Sequence, residues 1–399
     1  MKKILLIGSE LGKGGAERSI SLLSYYLEQM QYDITLCILS GKDREKFYRT
    51  CEKVVFVDPP EYSGTWGKIK AWRYRINKIK SLKEGVDVSI SFLEGPDYVN
   101  AMTKGKEKIV LSIRGSKVHD KEIKGKMGKV RKKVLIPMLY KRADEIVCVT
   151  QTLSNELQQH FGISPKRLKT IYNFYETDRI INLSNEALNE EEAKIFSKPV
   201  IITSGRLHVA KEQDKLIRIL QRIKQTTEAR LMILGDGELK EALIKLSDKL
   251  GLKVCDWQKE QRYEDADVYF MGFQSNAFKF YRHSTLFALA SSWEGFPNVL
   301  AEALICNIPS VTTDCYTGPR EILNVPKLEE TPVQKAVRTP VGSLLPLLDV
   351  IDESRMHEWI QEILYWLQTP PPPKEAFEVL TQRFTLEAML QQWKDVIEN

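Results

Sequence analysis

Short apolar runs alternate with longer stretches of mixed polarity through the first half of the chain. The runs at 3–7, 34–39, 54–57, 86–92, 109–113 and 146–149 read as strands buried on both faces. Between the first two, Ile20, Leu23, Leu27 and Met30 recur at helical spacing, so a helix there lays an apolar stripe on the sheet. Strand, crossover helix, strand is the pattern of a parallel sheet covered on both faces. Residues 165–174 lead out of this series, and the polar, acidic, helix-prone stretch 175–198 reads as a connector. A second series starts at 200–203 and continues at 231–234, 268–274 and 287–290. Within it, Leu239, Leu243, Leu246 and Leu250 mark a packed helix after the turn Gly235-Asp236-Gly237. Prolines 370–373 break a helix ending near Thr369, and a last helix over 386–397 carries Met389, Trp393 and Ile397.

Two such series in 399 residues exceed what one core holds. The expected division is a Rossmann-like domain over 1–177, a second over 178–380, and a terminal helix over 381–399. A composition 43% hydrophobic and 28% charged belongs to a soluble globular chain. No apolar run approaches a membrane span, and residues 1–8 read as a buried strand rather than a signal peptide. Cys37, Cys51, Cys148, Cys255, Cys306 and Cys315 show no close pairing and sit mostly in apolar runs. That usage implies reduced thiols in a cytoplasmic protein, with neither a disulfide framework nor a zinc site.

Charge changes the picture in one place. Residues 104–142 hold fourteen Lys or Arg against three acids, in a chain whose net charge is only +6, so the remainder is net acidic. The apolar stretch 134–140 is set among these cations. One reading is an anionic membrane surface as partner; the other is a solvated basic face beside a helix whose apolar side joins the core. No nucleic acid is expected, because the region lacks a recognisable nucleic-acid-binding motif.

Candidate chemistry gathers at strand ends. Gly14-Gly15-Ala16-Glu17-Arg18 follows the first strand, and Gly205-Arg206 closes an apolar run five residues before Lys211. Glu294 and Glu302 bracket seven residues, and Thr313 to Leu323 form another turn into a helix. Taken singly, these are tight turns or solvated acids beside a strand-to-helix turn. Pro297 fits the first position of a helix and 307–309 its end, so the N–H groups of Asn298, Val299 and Leu300 would make a phosphate receptor.

In this order and spacing the motifs resemble the retaining GT-B glycosyltransferases of family 4, the group 1 glycosyltransferases, over essentially the whole chain. The resemblance implies two Rossmann-like domains facing across a cleft, with the last helix crossing back to the first domain. It implies a hexosyltransferase in which Glu294 contacts the donor sugar, Glu302 the ribose, and Gln274 and Lys279 the base and phosphates. Gly14 and Gly15 would let the backbone approach the diphosphate. Arg206, a planar fork, and Lys211, a mobile point charge, suit a diphosphate leaving group. With no Asp-x-Asp motif in a suitable turn, the transfer is expected to need no metal or other cofactor. One departure stands out. Where many relatives have a histidine at a strand end, this chain has Arg114, with His119 five residues on. The general base stays open between His119 turned inward and the donor's own phosphate oxygen, and Arg114 suits an anionic group of the acceptor. The wording of the motifs is most similar to bacterial enzymes that build surface polysaccharide, capsule, lipopolysaccharide or lipid-linked oligosaccharide. That implies UDP-linked galactose or N-acetylhexosamine, a lipid-linked or saccharide acceptor, and a peripheral place at the inner membrane face. Alternatives are a GT-B-shaped UDP-sugar epimerase or hydrolase and a non-catalytic membrane-docking protein. A nicotinamide dehydrogenase would need the Gly-x-Gly-x-x-Gly turn that is missing.

Overall fold

The computed structural model describes the chain except residues 42–43, 62, 121–124, 261–264, 327–331 and 349–351, and the side chains of 65, 126 and 127. The chain divides into two compact units, Met1–Phe174 with Leu386–Asn399, and Tyr175–Thr385.

Unit 1 is built on strands β1 (Lys3–Gly8), β2 (Asp33–Ile38), β3 (Val54–Phe56), β4 (Val88–Phe92), β5 (Lys108–Ile113), β6 (Glu145–Cys148) and β7 (Leu168–Thr170). All pair in parallel, in the order β3-β2-β1-β4-β5-β6-β7 among the described residues. The apolar runs locate the first six. β7, three residues with no apolar run, has no such signal. Its helices are α1 (Gly15–Gln29), α2 (Gly64–Leu82), α3 (Glu94–Met102), α4 (Gly125–Val130), α5 (Ile136–Tyr140), reached through one π turn, and α6 (Gln151–Phe161). Alternate residues of each strand face opposite sides. Ile4, Leu6, Ile34 and Leu36 meet Leu23 and Leu27 of α1, while Leu5, Ile7 and Cys37 meet Ile79 of α2 and Val99 of α3. The order reverses between β1 and β4, and open α/β sheets hold ligands beyond the strand ends at such a point.

Unit 2 opens with α7 (Thr177–Ser184) and α8 (Glu190–Ile195), which corrects the reading of 175–198 as a connector. Ile180 and Ile195 are buried, Asn189 and Glu192 cap α8 reciprocally, and Glu192 is held by Lys279 at 2.7 Å. Strands β8 (Val200–Ser204), β9 (Arg230–Leu234), β10 (Val254–Asp256), β11 (Val268–Gly272), β12 (Leu286–Leu289), β13 (Ser310–Thr313), β14 (Val337–Thr339) and β15 (Gly342–Leu345) follow. Their order is β10-β11-β9-β8-β12-β13-β15-β14, parallel except for β14 on β15. The helices are α9 (Gln213–Ile223), α10 (Lys240–Lys249), α11 (Trp257–Glu260), α12 (Phe278–His283), α13 (Asn298–Ile305), α14 (Pro319–Ile322), α15 (Glu353–Gln368) and α16 (Lys374–Thr381).

The last helix, α17 (Leu386–Glu398), belongs to unit 1. Trp393 stacks on Phe92 at 6.0 Å, and Lys108 Nζ donates to the Val396 carbonyl at 2.6 Å. The chain passes from one unit to the other after Phe174 and after Thr385, and Tyr175 N–H donates to Phe384 O at 2.9 Å, which holds these two points of unit 2 side by side.

Part of the basic surplus of 104–142 is neutralised from outside that window. Lys104 pairs with Asp144 at 2.7 Å, Lys108 with Glu145 at 2.9 Å, and Lys117 and Arg131 both reach Glu94. Residues 121–124 of the stretch lie outside the described residues.

Candidate functional site

Two turns of unit 2 lock backbone to backbone. After β8, Gly205 N–H donates to Leu234 O at 3.0 Å and Leu207 N–H to Asp236 O at 2.9 Å, while Gly235 N–H reaches Gly272 O at 2.8 Å. Gly235 sits at φ +122°, and a Cβ there would lie 2.1 Å from Gly205 O, so no side chain fits. The lock fixes where Arg206 leaves the sheet. Its side chain is 71% exposed and meets Glu238 at 3.2 Å. A 3-10 turn over Val209–Lys211 follows, and Glu212 adopts a left-handed φ of 48° before α9 begins. That turn delivers Lys211 Nζ to within 2.5 Å of Glu294 Oε1, with the side chains 22% and 11% exposed.

Glu294 lies on the loop between β12 and α13, and the backbone of that loop is held at three points. Ser292 N–H donates to Ala210 O at 2.9 Å, Thr313 Oγ1 to Ser291 O at 2.5 Å, and Thr317 Oγ1 to the Glu294 carbonyl. Gly318, at φ +94°, comes so close that a Cβ would lie 2.6 Å from Pro297 Cδ. Asp314, wholly buried, grips Arg320 through both oxygens and accepts Val333 N–H at 2.7 Å, which fixes the next turn. Burial and the nearby Glu294 carboxylate push the Cys315 thiol up, so it stays protonated. The result is a carboxylate and an ammonium, partly shielded from water, placed by backbone bonds rather than by their own side chains. Such a pair can accept from sugar hydroxyls and donate to an anion.

Pro297 is the N-cap of α13 rather than its first residue. Asn298 Oδ1 accepts from Tyr175 Oη at 2.7 Å, and Glu302 follows Asn298 by one turn on the same face. Of the three amides read as a phosphate receptor, Leu300 N–H is engaged with Pro297 O at 3.0 Å. Gln274 folds back to donate to Met271 O at 2.7 Å, and Lys279 is clasped by both oxygens of Glu192. Gln274 lines a cavity of about 310 Å³ with Asn189, Trp257, Gln258, Met271 and Phe273. Trp257 and Asn189 carry no motif, and only the fold brings them to the end of β11.

In unit 1, Gly14 caps α1 at φ −73°, and a Cβ there would meet only the Glu17 side chain. Neither Gly14 nor Gly15 has a positive φ. Arg114 Nη1 donates to Asn173 Oδ1 at 2.7 Å, and its guanidinium lies 4.4 Å from the Phe92 ring centre. His119 N–H donates to Ser116 Oγ at 2.8 Å, and burial pulls its imidazole below the ordinary value. A cluster missed in the sequence lies after β4. Leu93 takes φ +74°, and Glu94 meets Arg131 at 2.7 Å, Lys117 at 3.3 Å and the Tyr98 hydroxyl. Burial alone would raise the Glu94 carboxyl, but Arg131, Lys117 and Tyr98 hold it below the usual range. Asp97, wholly buried, accepts from Ser91 Oγ at 2.7 Å, and burial raises its carboxyl well above the ordinary value. The acid pair of Glu94-Gly95-Pro96-Asp97 directly after an apolar run was the available signal.

Among the described residues no group of three or more His, Cys, Asp or Glu is arranged to hold a metal ion. No helix among them is long and apolar enough to cross a membrane.

The fold agrees with what the chain is similar to. HepE of Anabaena, solved with UDP, superposes over the whole of both chains with a TM-score of 0.71 at 18% identity, and TarM of S. aureus with 0.73 at 13%. The fold is therefore GT-B. Residues 13–179 match the model Glycosyltransferase Family 4, and 184–327 match Glycosyl transferases group 1. A Campylobacter jejuni protein, N-acetylgalactosamine-N,N'-diacetylbacillosaminyl-diphospho-undecaprenol 4-alpha-N-acetylgalactosaminyltransferase, is 29% identical across 81% of this chain and 83% of its own. Amylovoran biosynthesis glycosyltransferase AmsD of Erwinia amylovora is 26% identical over the same shares. An uncharacterized glycosyltransferase of Methanocaldococcus jannaschii is 42% identical, but the match spans 46% of this chain and 43% of that protein. The chain is a glycosyltransferase of GT-B fold, its first half matching Glycosyltransferase Family 4 and its second Glycosyl transferases group 1.

Proposed function

We propose that the protein moves a hexose or N-acetylhexosamine from a UDP-sugar to a lipid-linked or polysaccharide acceptor at the cytoplasmic face of the membrane, with retention of configuration and without a metal. The observation that carries this reading is the Lys211–Glu294 pair at 2.5 Å, fixed beside the N-terminus of α13 by the Ser292 bond to Ala210. Glu294 takes hydroxyls of the donor sugar. Lys211, with Arg206 swinging from Glu238, neutralises the diphosphate as its bond to the sugar breaks. The amides of Asn298 and Val299 add to that charge stabilisation, Leu300 N–H being already engaged, and Glu302 binds the ribose. The cavity beside Trp257 and Gln274 suits the base. Lys279, held by Glu192, acts on the phosphates only if that pair opens. Unit 1 takes the acceptor, with Arg114 toward an anionic acceptor group and His119 as a candidate base. Residues 104–142 rest on anionic lipid. The diphospho-undecaprenol acceptor in the Campylobacter relative's name and the UDP bound to HepE support this choice of substrates.

The test is UDP release from UDP-galactose, UDP-glucose and their N-acetylamino forms, with polyprenyl-diphosphate-linked saccharides as acceptors, and NMR of the product's anomeric centre. The expected result is acceptor-dependent release with retention, indifferent to chelator and lost in Glu294→Ala. Acceptor-independent turnover would instead mark an epimerase or hydrolase. Activity abolished by chelator and restored by a divalent cation would overturn the metal-independent reading.

A further inference from the structure

Apart from Met1, every large apolar side chain exposed among the described residues of unit 1 lies on one group of helices. Trp66, Ile69 and Trp72 stand on α2, Met102 ends α3, and Val130, Val134 and Met138 follow one another at helical spacing from α4 to α5. α3 packs against both α2 and α5, and Ile79 of α2 and Val99 of α3 cover the same strand residues, so these helices form one layer. Trp66 is 78% exposed. With Ile69 and Trp72 it forms a run of exposed apolar side chains along one helix, and contiguous apolar patches of this kind mark interaction surfaces.

Charge identifies what that surface meets. α2 carries Lys68, Lys70, Arg73, Arg75, Lys78 and Lys80 and no acid. Arg75 is turned inward onto the Leu39 carbonyl at 3.1 Å, and Ile79 is buried, while Trp66, Lys68, Ile69, Lys70, Trp72, Arg73, Lys78 and Lys80 are all exposed. Residues 125–142 also carry no acid. Arg131 and Lys132 are spent inside unit 1, on Glu94 and on the Val118 carbonyl, whereas Lys129, Lys133, Lys141 and Arg142 face out. A layer that mixes exposed indoles and aliphatics with cations of a single sign fits the headgroup zone of an anionic bilayer. There indole rings settle at the interface and lysine stems let the ammonium reach the phosphates.

We propose that unit 1 docks on anionic phospholipid through this layer, with α2 as the principal element: Trp66, Ile69 and Trp72 enter the interface while Lys68, Lys70 and Arg73 hold headgroup phosphates. This extends the membrane contact proposed for 104–142 to a helix outside that stretch, and it does not depend on the donor chemistry. The docking is read by sedimentation of the full chain with phosphatidylglycerol/phosphatidylethanolamine vesicles against phosphatidylcholine vesicles, without any sugar donor. Wild type sediments with the anionic vesicles, and its tryptophan emission shifts to the blue. Neutralising Lys68, Lys70 and Arg73 together to Gln weakens binding about a hundredfold, at about fivefold per cation. A Trp66→Ser/Ile69→Ser variant loses sedimentation with the anionic vesicles while its far-UV CD stays that of wild type, because Trp66 is 78% and Ile69 46% exposed. If this variant binds as wild type does while Val134→Ser/Met138→Ser loses binding, α2 is not the docking element and 104–142 alone is. Equal sedimentation with phosphatidylcholine, or none with either vesicle, overturns the proposal. So does a concentration-dependent dimer that the Trp66 variant abolishes in the absence of vesicle binding, since the layer would then be meeting a second copy of the chain.

Discussion

Two lysine–glutamate pairs of nearly the same length stand in the two units, one joining the end of α2 to the start of β5 and the other joining the loops after β8 and β12, and they are built for different work. Lys83 and Glu107 meet at 2.7 Å in unit 1 with side chains 4% and 2% exposed. Lys83 also donates to Asn100 O at 3.0 Å, and Glu107 accepts the Gly105 N–H, so every direction around the pair is filled by the fold. Burial still pulls the Lys83 ammonium below its ordinary value in spite of its partner. In unit 2, Lys211 and Glu294 meet at 2.5 Å but remain partly open, with backbone bonds fixing the loops that carry them. A closed pair ties elements together. An open pair on a fixed frame can exchange its partner for a ligand at little reorganisation cost.

Breaking each pair should separate these roles. Glu107→Ala strands the Lys83 ammonium and is expected to cost about 3–5 kcal/mol of stability, read from urea midpoints. A Lys83→Met/Glu107→Leu double variant should recover most of it. Lys211→Met should change stability by no more than about 1 kcal/mol, because the pair is partly solvated. Its kcat/KM should instead fall about 10²–10³-fold, as expected for a lost charge contact to the leaving group. A Lys211→Met enzyme that melts early and turns over normally would place that pair with the first.

The frame beneath the open pair gives the next contrast. Gly235→Ala forces a Cβ against Gly205 O at a φ of +122° and should cost about 1–3 kcal/mol, together with nucleotide affinity, by calorimetry. Gly14→Ala meets only the flexible Glu17 carboxylate and should stay within about 0.5 kcal/mol of wild type. Two glycines that look alike in the sequence differ because one is pressed against another turn and the other is not.

That difference marks where sequence reading stops. Buried parallel strands announce themselves as apolar runs, so β1, β4 and β8 were legible, as were the glycine turns after β1 and β8. Pairings across long stretches leave no such trace. Nothing near Lys279 says that Glu192, 87 residues away, will hold it, and nothing in 175–198 shows that Ile180 and Ile195 are core. Helix propensity was visible there; packing was not. Part of the basic surplus at 104–142 is offset in the same way, by Glu94, Asp144 and Glu145 from outside that stretch.

The smallest expected change is a slope, and it bears on the less legible region. Asp97 lies wholly buried after β4, with Ser91 donating to it at 2.7 Å, and its carboxyl is raised well above the ordinary 3.8 by burial, against the pull of Ser91, Lys117 and Arg114. The folded chain then keeps a proton that the unfolded chain releases. Stability is therefore full below about pH 3.8 and declines as pH rises toward the folded value, by at most about 1.4 kcal/mol per pH unit. Asp97→Asn keeps the acceptor for Ser91 and removes the proton. Its stability relative to wild type, from urea midpoints between about pH 5 and pH 8, should rise with pH while wild type loses ground. A difference that stays flat across that range would mean that Asp97 is ionised in the fold. Arg114 and Lys117 would then be serving an internal carboxylate, and the end of β4 would be a second closed charge cluster like Lys83–Glu107, leaving Arg114 no charge to offer an acceptor.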